Sequence, residues 1–435
     1  MIAHRGKPVT TMQMVQRPRQ SSQVLWAMLA AFGAYFCMYG LRKPFTAATY
    51  PSGLIFGMEI KPALVIAQLC GYMLSKFIGV RVITELPTAK RAGVLVVLVV
   101  IAELALVLLN VLPLPLKPLA MFLNGLPLGM IFGMLLSFLE GRRLTEAMAA
   151  ALCGSFIVAD GAAKTVGTMV LNSGAGLYTM PMITGAMFLL PFAAFVWMLT
   201  KLPQPSRDDI DERAERPQLG SAGRLELLKF LGIAYGCVVF AYTMLTILRG
   251  FRADFMPELL KGLQITGNAL IFTQSETIIA AVVTLIAGLT SMLRVNRLAF
   301  GTALVLGIIG FACVPLSILL HRNGFLNGFL YLTMVGSGIY LPYVLIHTTV
   351  FERWIAIVRR PGSAAFLLTL ADAIAYLAYL VALLLKPVIQ KSANILVLFE
   401  SIGLSISLTS IAALMVALVL TSRKSSQSSG EKGLV

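Results

Sequence analysis

Apolar residues occupy this chain in blocks of about 20 residues, separated by short polar connections. A helix of that length rises 1.5 Å per residue and crosses a hydrocarbon layer of about 30 Å. The pattern therefore predicts an all-α membrane protein with twelve transmembrane helices. The predicted spans are 23–42, 62–80, 92–111, 117–138, 148–170, 181–200, 229–249, 267–290, 298–320, 326–349, 364–386 and 396–421.

The polar connection at 201–228 is much longer than the others and carries an acidic run. A charged segment of this kind, too short to fold as a domain, is typical of a flexible linker. It separates six spans from six and predicts two bundles, at 23–200 and 229–421. A basic tail at 1–22 and a second tail at 422–435 complete the predicted organisation.

Composition and charge agree with a membrane protein. Hydrophobic residues make up 58% of the chain and charged residues 12%, where soluble domains have about 25% charged residues. Lys and Arg number about 23 on the side of the two tails and about 10 on the other, which predicts that both termini are cytoplasmic. The net charge of +16 thus follows from topology in a multi-pass cell (inner) membrane protein, and no nucleic-acid partner is expected.

The sequence offers no chemistry typical of an enzyme, a metal site or a cofactor site. Its five cysteines all lie in apolar blocks, which favours buried small side chains over metal or redox roles. No phosphate-binding Gly-x4-Gly-Lys-Ser/Thr loop and no His-Glu-x-x-His motif occurs. We expect neither a metal nor a cofactor, and no ATP-driven pump.

Two internal repeats relate the halves. Segments 34–42 and 241–249 match at Ala, Tyr, Leu and Arg positions with a single offset, and the surroundings of Asp160 recur around Asp372. Parallel repeats in a very apolar chain indicate a duplicated helical transporter.

The first repeat places an arginine on an aromatic helix face in each half. Tyr35, Tyr39 and Arg42 share one face of the first span, and Tyr242 and Arg249 share one face of the seventh. Two guanidinium groups meet phosphate or carboxylate oxygens two at a time and predict a site for an anion. The alternative is that both arginines snorkel to the membrane interface, since they lie near the ends of their apolar runs.

Charges inside the second and fifth spans are further candidates, because a charge within a membrane is costly. Lys76 could be another cation of the cavity or could reach the cytoplasmic headgroups. Asp160 and Lys164 lie one helical turn apart. They could couple substrate binding to transport, or they could form a purely structural ion pair.

Three titratable residues of the second half are candidates for coupling or gating. Asp372 matches Asp160 in the repeat but has no cation within its own helix. Without a fixed partner, this carboxylate could carry a proton. Glu276 on the eighth span is a similar candidate. His347 on the tenth span titrates near neutral pH, although a lone histidine is more often only hydrogen-bonded.

Three segments carry a resemblance to a known group. The order of spans resembles the major facilitator superfamily, and segments 39–45 (Tyr-Gly-Leu-Arg-Lys-Pro-Phe), 72–79 (Tyr-Met-Leu-Ser-Lys-Phe-Ile-Gly) and 248–257 (Leu-Arg-x4-Asp-Phe-x-Pro) are similar to motifs of its organophosphate:phosphate antiporters. Segment 138–161 instead looks like an uncharacterised bacterial branch of the superfamily. The resemblance implies that Arg42 and Arg249 bind phosphate and that Lys76 helps to line the cavity.

The expected function is secondary transport of a small, phosphorylated or otherwise anionic solute by alternating access, as an antiporter or a proton symporter. The cavity is expected between the bundles, lined by spans one, four, seven and ten. The partners are then the solute and the lipid bilayer, and the protein is expected to act as a monomer. Two other classes stay open: a membrane enzyme acting on a phosphorylated or lipid-linked substrate, and a non-transporting receptor built on a transporter fold.

Overall fold

The computed structural model describes residues 12–139, 145–202, 221–265, 268–358, 364–389 and 394–430. Within these ranges twelve long α-helices run back and forth; of two short ones, one lies in a connection (Met256–Gly262) and the other (Phe351–Val358) continues the preceding helix beyond a π-helical turn. The helices are α1 (Met12–Arg42), α2 (Ile60–Glu85), α3 (Thr88–Val111), α4 (Lys117–Leu139), α5 (Thr145–Asn172), α6 (Thr179–Thr200), α7 (Ser221–Asp254), α8 (Met256–Gly262), α9 (Ile271–Ser291), α10 (Asn296–Arg322), α11 (Gly328–Leu345), α12 (Phe351–Val358), α13 (Ala364–Ile389) and α14 (Ile395–Gly430).

The twelve long helices confirm the predicted all-α fold. Over the described residues, ten of them are long and apolar enough to cross a membrane by hydropathy alone. The other two, α2 and α5, carry charges within their spans: Lys61 and Lys76 in α2, and Asp160 and Lys164 in α5. Those four charges have partners inside the protein, so the two helices still belong to the bundles.

Several predicted boundaries shift. Helix α1 already begins at Met12, inside the predicted tail, and α14 continues to Gly430. The predicted linker 201–228 overlaps α7, which begins at Ser221 and is interrupted at Gly232, where φ is 57° and ψ is −136°. Residues 203–220, where the acidic run falls, lie outside the described part of the chain.

Each half packs as a six-span bundle. In the first, α1 packs on α5 and α6, and α3 joins α4 to α6; in the second, α7 packs on α13 and α14, and α11 lies between α9 and α10. The bundles meet along two helix pairs, α5 with α9 and α2 with α13. This two-fold arrangement is the one that the internal repeats predict, and it leaves a space between α1 and α7.

Helices α2 and α4 pack closest in the first bundle because glycine removes the side chains between them. A side-chain carbon at Gly125 would lie 2.1 Å from the carbonyl oxygen of Gln68, and one at Gly71 would lie 2.1 Å from that of Phe122. Both distances are far below van der Waals contact. The backbones therefore touch, and the two helices form a single rigid unit.

The two ends of the bundles are named here by their connections. The loop end holds the connection from Lys43 to Glu59, which contains a 3-10 turn (Pro44–Ala47) and a hairpin of β1 (Leu54–Ile55) and β2 (Met58–Glu59). The tail end holds the beginnings of α1 and α7 and the connection from α2 to α3.

Candidate anion-binding site between the bundles

A polar cavity lies between the two bundles, nearer the loop end. Its volume is about 50 Å³, which is room for a few waters, since one water needs about 10–15 Å³. Helices α1, α2, α5, α7, α11 and α13 contribute to its wall. The lining residues are Tyr39, Arg42, Lys43, Val65, Gln68, Leu69, Phe156, Asp160, Thr246, Arg249, Gly250, Ala253, Asp254, Tyr340, Tyr376 and Tyr379.

The predicted lining is right for the first, seventh and tenth spans and wrong for the fourth. No described residue of α4 reaches the cavity wall. Helix α4 lies against the back of α2, where the glycine contacts hold it. Helices α2, α5 and α13, which are not among the spans expected to line the cavity, supply part of its wall.

The two predicted arginines share this one cavity. Helix α1 ends at Arg42 because Pro44, two residues on, cannot continue it. The Arg42 guanidinium carbon lies 4.0 Å from the ring centre of Tyr72, and that of Arg249 lies 4.4 Å from the ring centre of Tyr343. Cation–π contacts of this kind hold each guanidinium in place without neutralising its charge.

Neither arginine forms an ion pair with a carboxylate in the described part of the chain. The Nε atom of each is buried and has no hydrogen-bond partner among the described residues. A buried guanidinium donor without an acceptor is costly. Both groups are therefore suited to an acceptor that comes from outside the protein.

Every other cation that lines or borders the cavity has a carboxylate partner. These pairs are Lys43 Nζ with Asp254 Oδ1 at 2.6 Å, Lys76 Nζ with Asp372 Oδ2 at 3.3 Å, Arg252 Nη1 with Glu276 Oε1 at 2.5 Å, and Lys164 with Asp160. Four cations set against four carboxylates leave two positive charges, those of Arg42 and Arg249.

Two ion pairs between the bundles close the loop end. Lys43 precedes the 3-10 turn of the first bundle and reaches Asp254 at the end of α7, which also accepts a hydrogen bond of 2.7 Å from the Tyr379 hydroxyl. Lys61 at the start of α2 donates to Glu258 Oε1 at 2.7 Å. Lys43 also lies 4.0 Å from Asp160 of its own bundle, which is an alternative partner if the bundles separate.

A third ion pair joins the bundles on the tail side of the cavity. The Lys76 ammonium bonds Asp372 and lies 5.3 Å from the ring centre of Tyr72 and 4.5 Å from that of Tyr376. The expectation that Asp372 has no fixed partner is therefore wrong, because its cation comes from α2 of the other bundle. Of the two alternatives for Lys76, the structure shows the ammonium turned inward to the bundle interface.

Tyr242 and His347 complete the surroundings of Asp372. The Tyr242 hydroxyl donates to Asp372 Oδ1 at 2.5 Å. His347 lies in a π-helical turn (Ile346–Val350), where its Nδ1 is 3.0 Å from the carbonyl oxygen of Tyr343 and therefore carries the hydrogen. Its Nε2 faces Tyr242 at 3.4 Å and Asp372 at 3.9 Å. Together with Lys76, these three residues form one polar cluster across the interface between the bundles.

Seven predicted site residues lie away from the cavity wall: Tyr35, Lys76, Lys164, Tyr242, Glu276, His347 and Asp372. Tyr35 packs edge-on against Tyr39 and against Phe132, at ring distances of 5.5 and 5.3 Å. Tyr242 is fully buried in the cluster around Asp372. Glu276 forms its ion pair with Arg252 inside the second bundle, with both side chains at most 3% exposed, and its gating role stays a prediction. Asp160 and Lys164 form the predicted pair, in which Asp160 alone reaches the cavity.

Several residues of the site were not predicted, although the sequence carried a signal for some. Lys43 and Asp254 both lie inside the motifs of the family resemblance, next to Arg42 and five residues after Arg249. Gln68, Tyr376 and Tyr379 also line the cavity and are not among the predicted site residues. Their positions at the cavity depend on which helices meet, and this is a tertiary property. Among the described residues, no group of three or more His, Cys, Asp or Glu side chains could hold a metal ion.

Solved transporter structures share this fold. The crystal structure of a D-xylose-proton symporter matches with a TM-score of 0.58 and 13% identity, over 91% of this chain and 95% of the other. The xylose transporter XylE from E. coli, in a partially occluded inward-open conformation, matches with a TM-score of 0.57 and 12% identity, over 89% of this chain and 97% of the other. The fold is thus the two-bundle, twelve-helix fold of major facilitator transporters.

The chain belongs to the family of unknown function DUF5690, whose model matches residues 44–424. No curated protein matches the sequence. The particular resemblance to organophosphate:phosphate antiporters stays a prediction.

Proposed function

We propose that this protein is a secondary transporter that carries a small dianion of the phosphate class through alternating access. The observation that carries the proposal is the charge inventory of the cavity, in which Arg42 and Arg249 alone lack a carboxylate. A phosphate monoester has a charge of about −1.5 to −2 near pH 7, which matches the two uncompensated positive charges. Two oxygens of the phosphate group can also accept parallel hydrogen bonds from one guanidinium.

The small cavity is consistent with a contracted state in an alternating-access cycle. Ligand sites for organic molecules are about 300–1,000 Å³, well above the roughly 50 Å³ of this cavity. A ligand larger than a few waters therefore requires the bundles to move apart. Opening towards the loop end breaks the pairs Lys43–Asp254 and Lys61–Glu258, and opening towards the tail end breaks Lys76–Asp372.

The distribution of basic residues assigns the ends to the two sides of the membrane. By the positive-inside count the tail end is cytoplasmic and the loop end is external. In this assignment Lys76, Asp372 and His347 form the inner closure, and Asp160 with Lys164 lies beside the outer one. Exchange of partners in these clusters would couple anion binding to opening, either in exchange for a second anion or together with a proton.

The fold favours transport over the two other classes. The two solved structures described above are of xylose transporters, and three ion pairs of this chain join the two bundles. A membrane enzyme would need a nucleophile or a metal near the bound phosphate. The described cavity wall offers tyrosines, one threonine and paired charges, an arrangement that suits binding and release.

Thermal stabilisation of the purified protein tests the substrate class. Phosphate and phosphate monoesters should raise the melting temperature by mass action, since the ligand binds only the folded state. Sulfate, dicarboxylates and neutral sugars complete the panel. The Arg42→Ala/Arg249→Ala variant should lose the response, and Arg297→Ala, an exposed arginine of α10, should keep it. Stabilisation by a neutral sugar that persists in the double variant would contradict the proposed function.

The inner closure makes a separate prediction for transport. Lys76→Met and Asp372→Asn should each slow exchange of the stabilising anion in liposomes by about fivefold, because a partly exposed pair contributes about 1 kcal/mol. The swapped variant Lys76→Asp/Asp372→Lys should recover part of the rate. Arg353→Met is the matched control, since Arg353 bonds Asn296 within one bundle at the same end. A swap no better than the worse single variant would show that the pair does not act as a closure.

A further inference from the structure

The last turn of α1 is held by two buried amides from neighbouring helices. A helix leaves its last carbonyl oxygens without partners, and α1 ends at Arg42, the residue that carries one guanidinium of the site. The carbonyl of Tyr39 accepts from the amide of Lys43 at 2.9 Å. The carbonyls of Leu41 and Arg42 accept instead from side chains.

Asn124 of α4 and Gln68 of α2 supply these donors. Asn124 Nδ2 donates to the carbonyl oxygens of Leu41 at 3.3 Å and Ala102 at 3.0 Å. Gln68 Nε2 donates to the carbonyl oxygen of Arg42 at 2.9 Å and to Asn124 Oδ1 at 2.7 Å. Asn124 is 0% exposed and Gln68 is 6% exposed, so water does not compete for these bonds.

The orientation of both amides follows from chemistry. Carbonyl oxygens can only accept, so both hydrogens of Gln68 Nε2 and both of Asn124 Nδ2 have a destination. The bond between the two side chains links the donors into a single unit. Because α2 and α4 touch through their backbones at Gly71 and Gly125, the two donors stand on closely packed helices.

The second arginine has no equivalent device. Helix α7 continues beyond Arg249 to Asp254, so the carbonyl of Arg249 lies inside the regular helical ladder. Arg42, by contrast, lies on the last residue of its helix, where the backbone frays most easily. Because only Arg42 lies at the end of its helix, only Arg42 needs side-chain amides to hold its backbone.

We propose that Gln68 and Asn124 are positioning residues that hold the end of α1 so that the Arg42 guanidinium faces the anion. This proposal rests on the proposed anion site. Asn124 does not line the cavity and acts only through α1. Gln68 reaches the cavity wall, but both of its amide hydrogens are engaged by α1 and Asn124. The affinity of the site for its ligand thus depends on a polar pair in the core of the first bundle.

Asn124→Leu is the first test because leucine has a similar volume and cannot donate. We expect the dissociation constant for inorganic phosphate to rise about tenfold, as for loss of a buried hydrogen-bonded partner. The maximal rate of phosphate exchange in liposomes should change much less. Ser317→Ala is the control: its buried hydroxyl bonds the carbonyl of Cys313 in α10, away from the cavity. If Asn124→Leu does not fold, Gln68→Leu removes the donor to Arg42 and leaves the bond from Asn124 to Leu41.

A double-mutant cycle separates positioning from general damage. Asn124→Leu should be clearly sub-additive with Arg42→Lys, because a flexible lysine depends less on the backbone that carries it. It should be additive with Arg249→Lys. Equal additivity with both, or an unchanged dissociation constant in folded Asn124→Leu or Gln68→Leu protein, would overturn the positioning role. If Arg42→Lys itself binds phosphate like the wild type, the proposed anion site is wrong and the positioning role falls with it.

Discussion

Arg42→Ala and Arg249→Ala are each expected to abolish most anion transport. Removing one partner of a buried, hydrogen-bonded charge pair costs about 2–5 kcal/mol, which lowers affinity about 30-fold or more. The cost should be high here because each arginine supplies half of the uncompensated charge in the cavity. Counterflow of the radiolabelled anion in liposomes, with dissociation constants measured alongside, tests the expectation.

Lysine at either position should recover only part of the loss. The charge remains, but the fork that bonds two oxygens together is lost. Arg297→Ala, on the exposed surface, should transport like the wild type. Two single variants that both transport normally would show that the arginines only anchor their helices at the membrane interface.

The buried pair of Arg252 and Glu276 is expected to dominate the stability of the second bundle. Both side chains are nearly inaccessible, at 1% and 3% exposed, and the carbonyl of Leu332 accepts a further bond of 3.4 Å from Arg252. Glu276→Ala leaves a buried cation without its partner and should lower the free energy of unfolding by about 3–5 kcal/mol. Arg252→Met/Glu276→Leu removes both charges and should recover most of that stability.

The same variants separate a structural role from a coupling role. A structural pair predicts that the double variant unfolds near the wild-type temperature and still exchanges its anion. If the double variant is stable but exchanges nothing, then Glu276 takes part in coupling, as the sequence had suggested. Unfolding followed by denaturant in detergent, together with exchange in liposomes, provides both measurements.

Much of the fold follows from local sequence, because the membrane makes helix formation obligatory. A backbone in hydrocarbon must satisfy its own hydrogen bonds, so each apolar block of about 20 residues becomes a spanning helix. The periodicity of α1 likewise placed Tyr39 and Arg42 on one face, and the repeat placed Arg249 opposite. The spans of α2 and α5 were predicted as well, since their few charges interrupt otherwise apolar runs.

The site itself could be predicted only in part. The two arginines were recognisable because an isolated charge in an apolar run is costly, and because the internal repeat places one in each half. Lys43 and Asp254 were less visible, since each lies just beyond the end of an apolar run, where charges are common. Gln68 and Asn124 carried no signal, because a single amide in a span has many possible partners and its role depends on which carbonyl it reaches.

The sequence by itself determined that this protein is a duplicated bundle of twelve membrane helices with an arginine near the end of the first helix in each half. The reason is that burial in lipid and helical periodicity act within about 20 residues. The tertiary structure alone decided that Asp372 pairs with Lys76, that Glu276 pairs with Arg252, and that Arg42 and Arg249 have no carboxylate partner among the described residues. These ion pairs join residues from different helices, and in one case from different bundles. Whether a charge has a partner is decided only when those helices have packed.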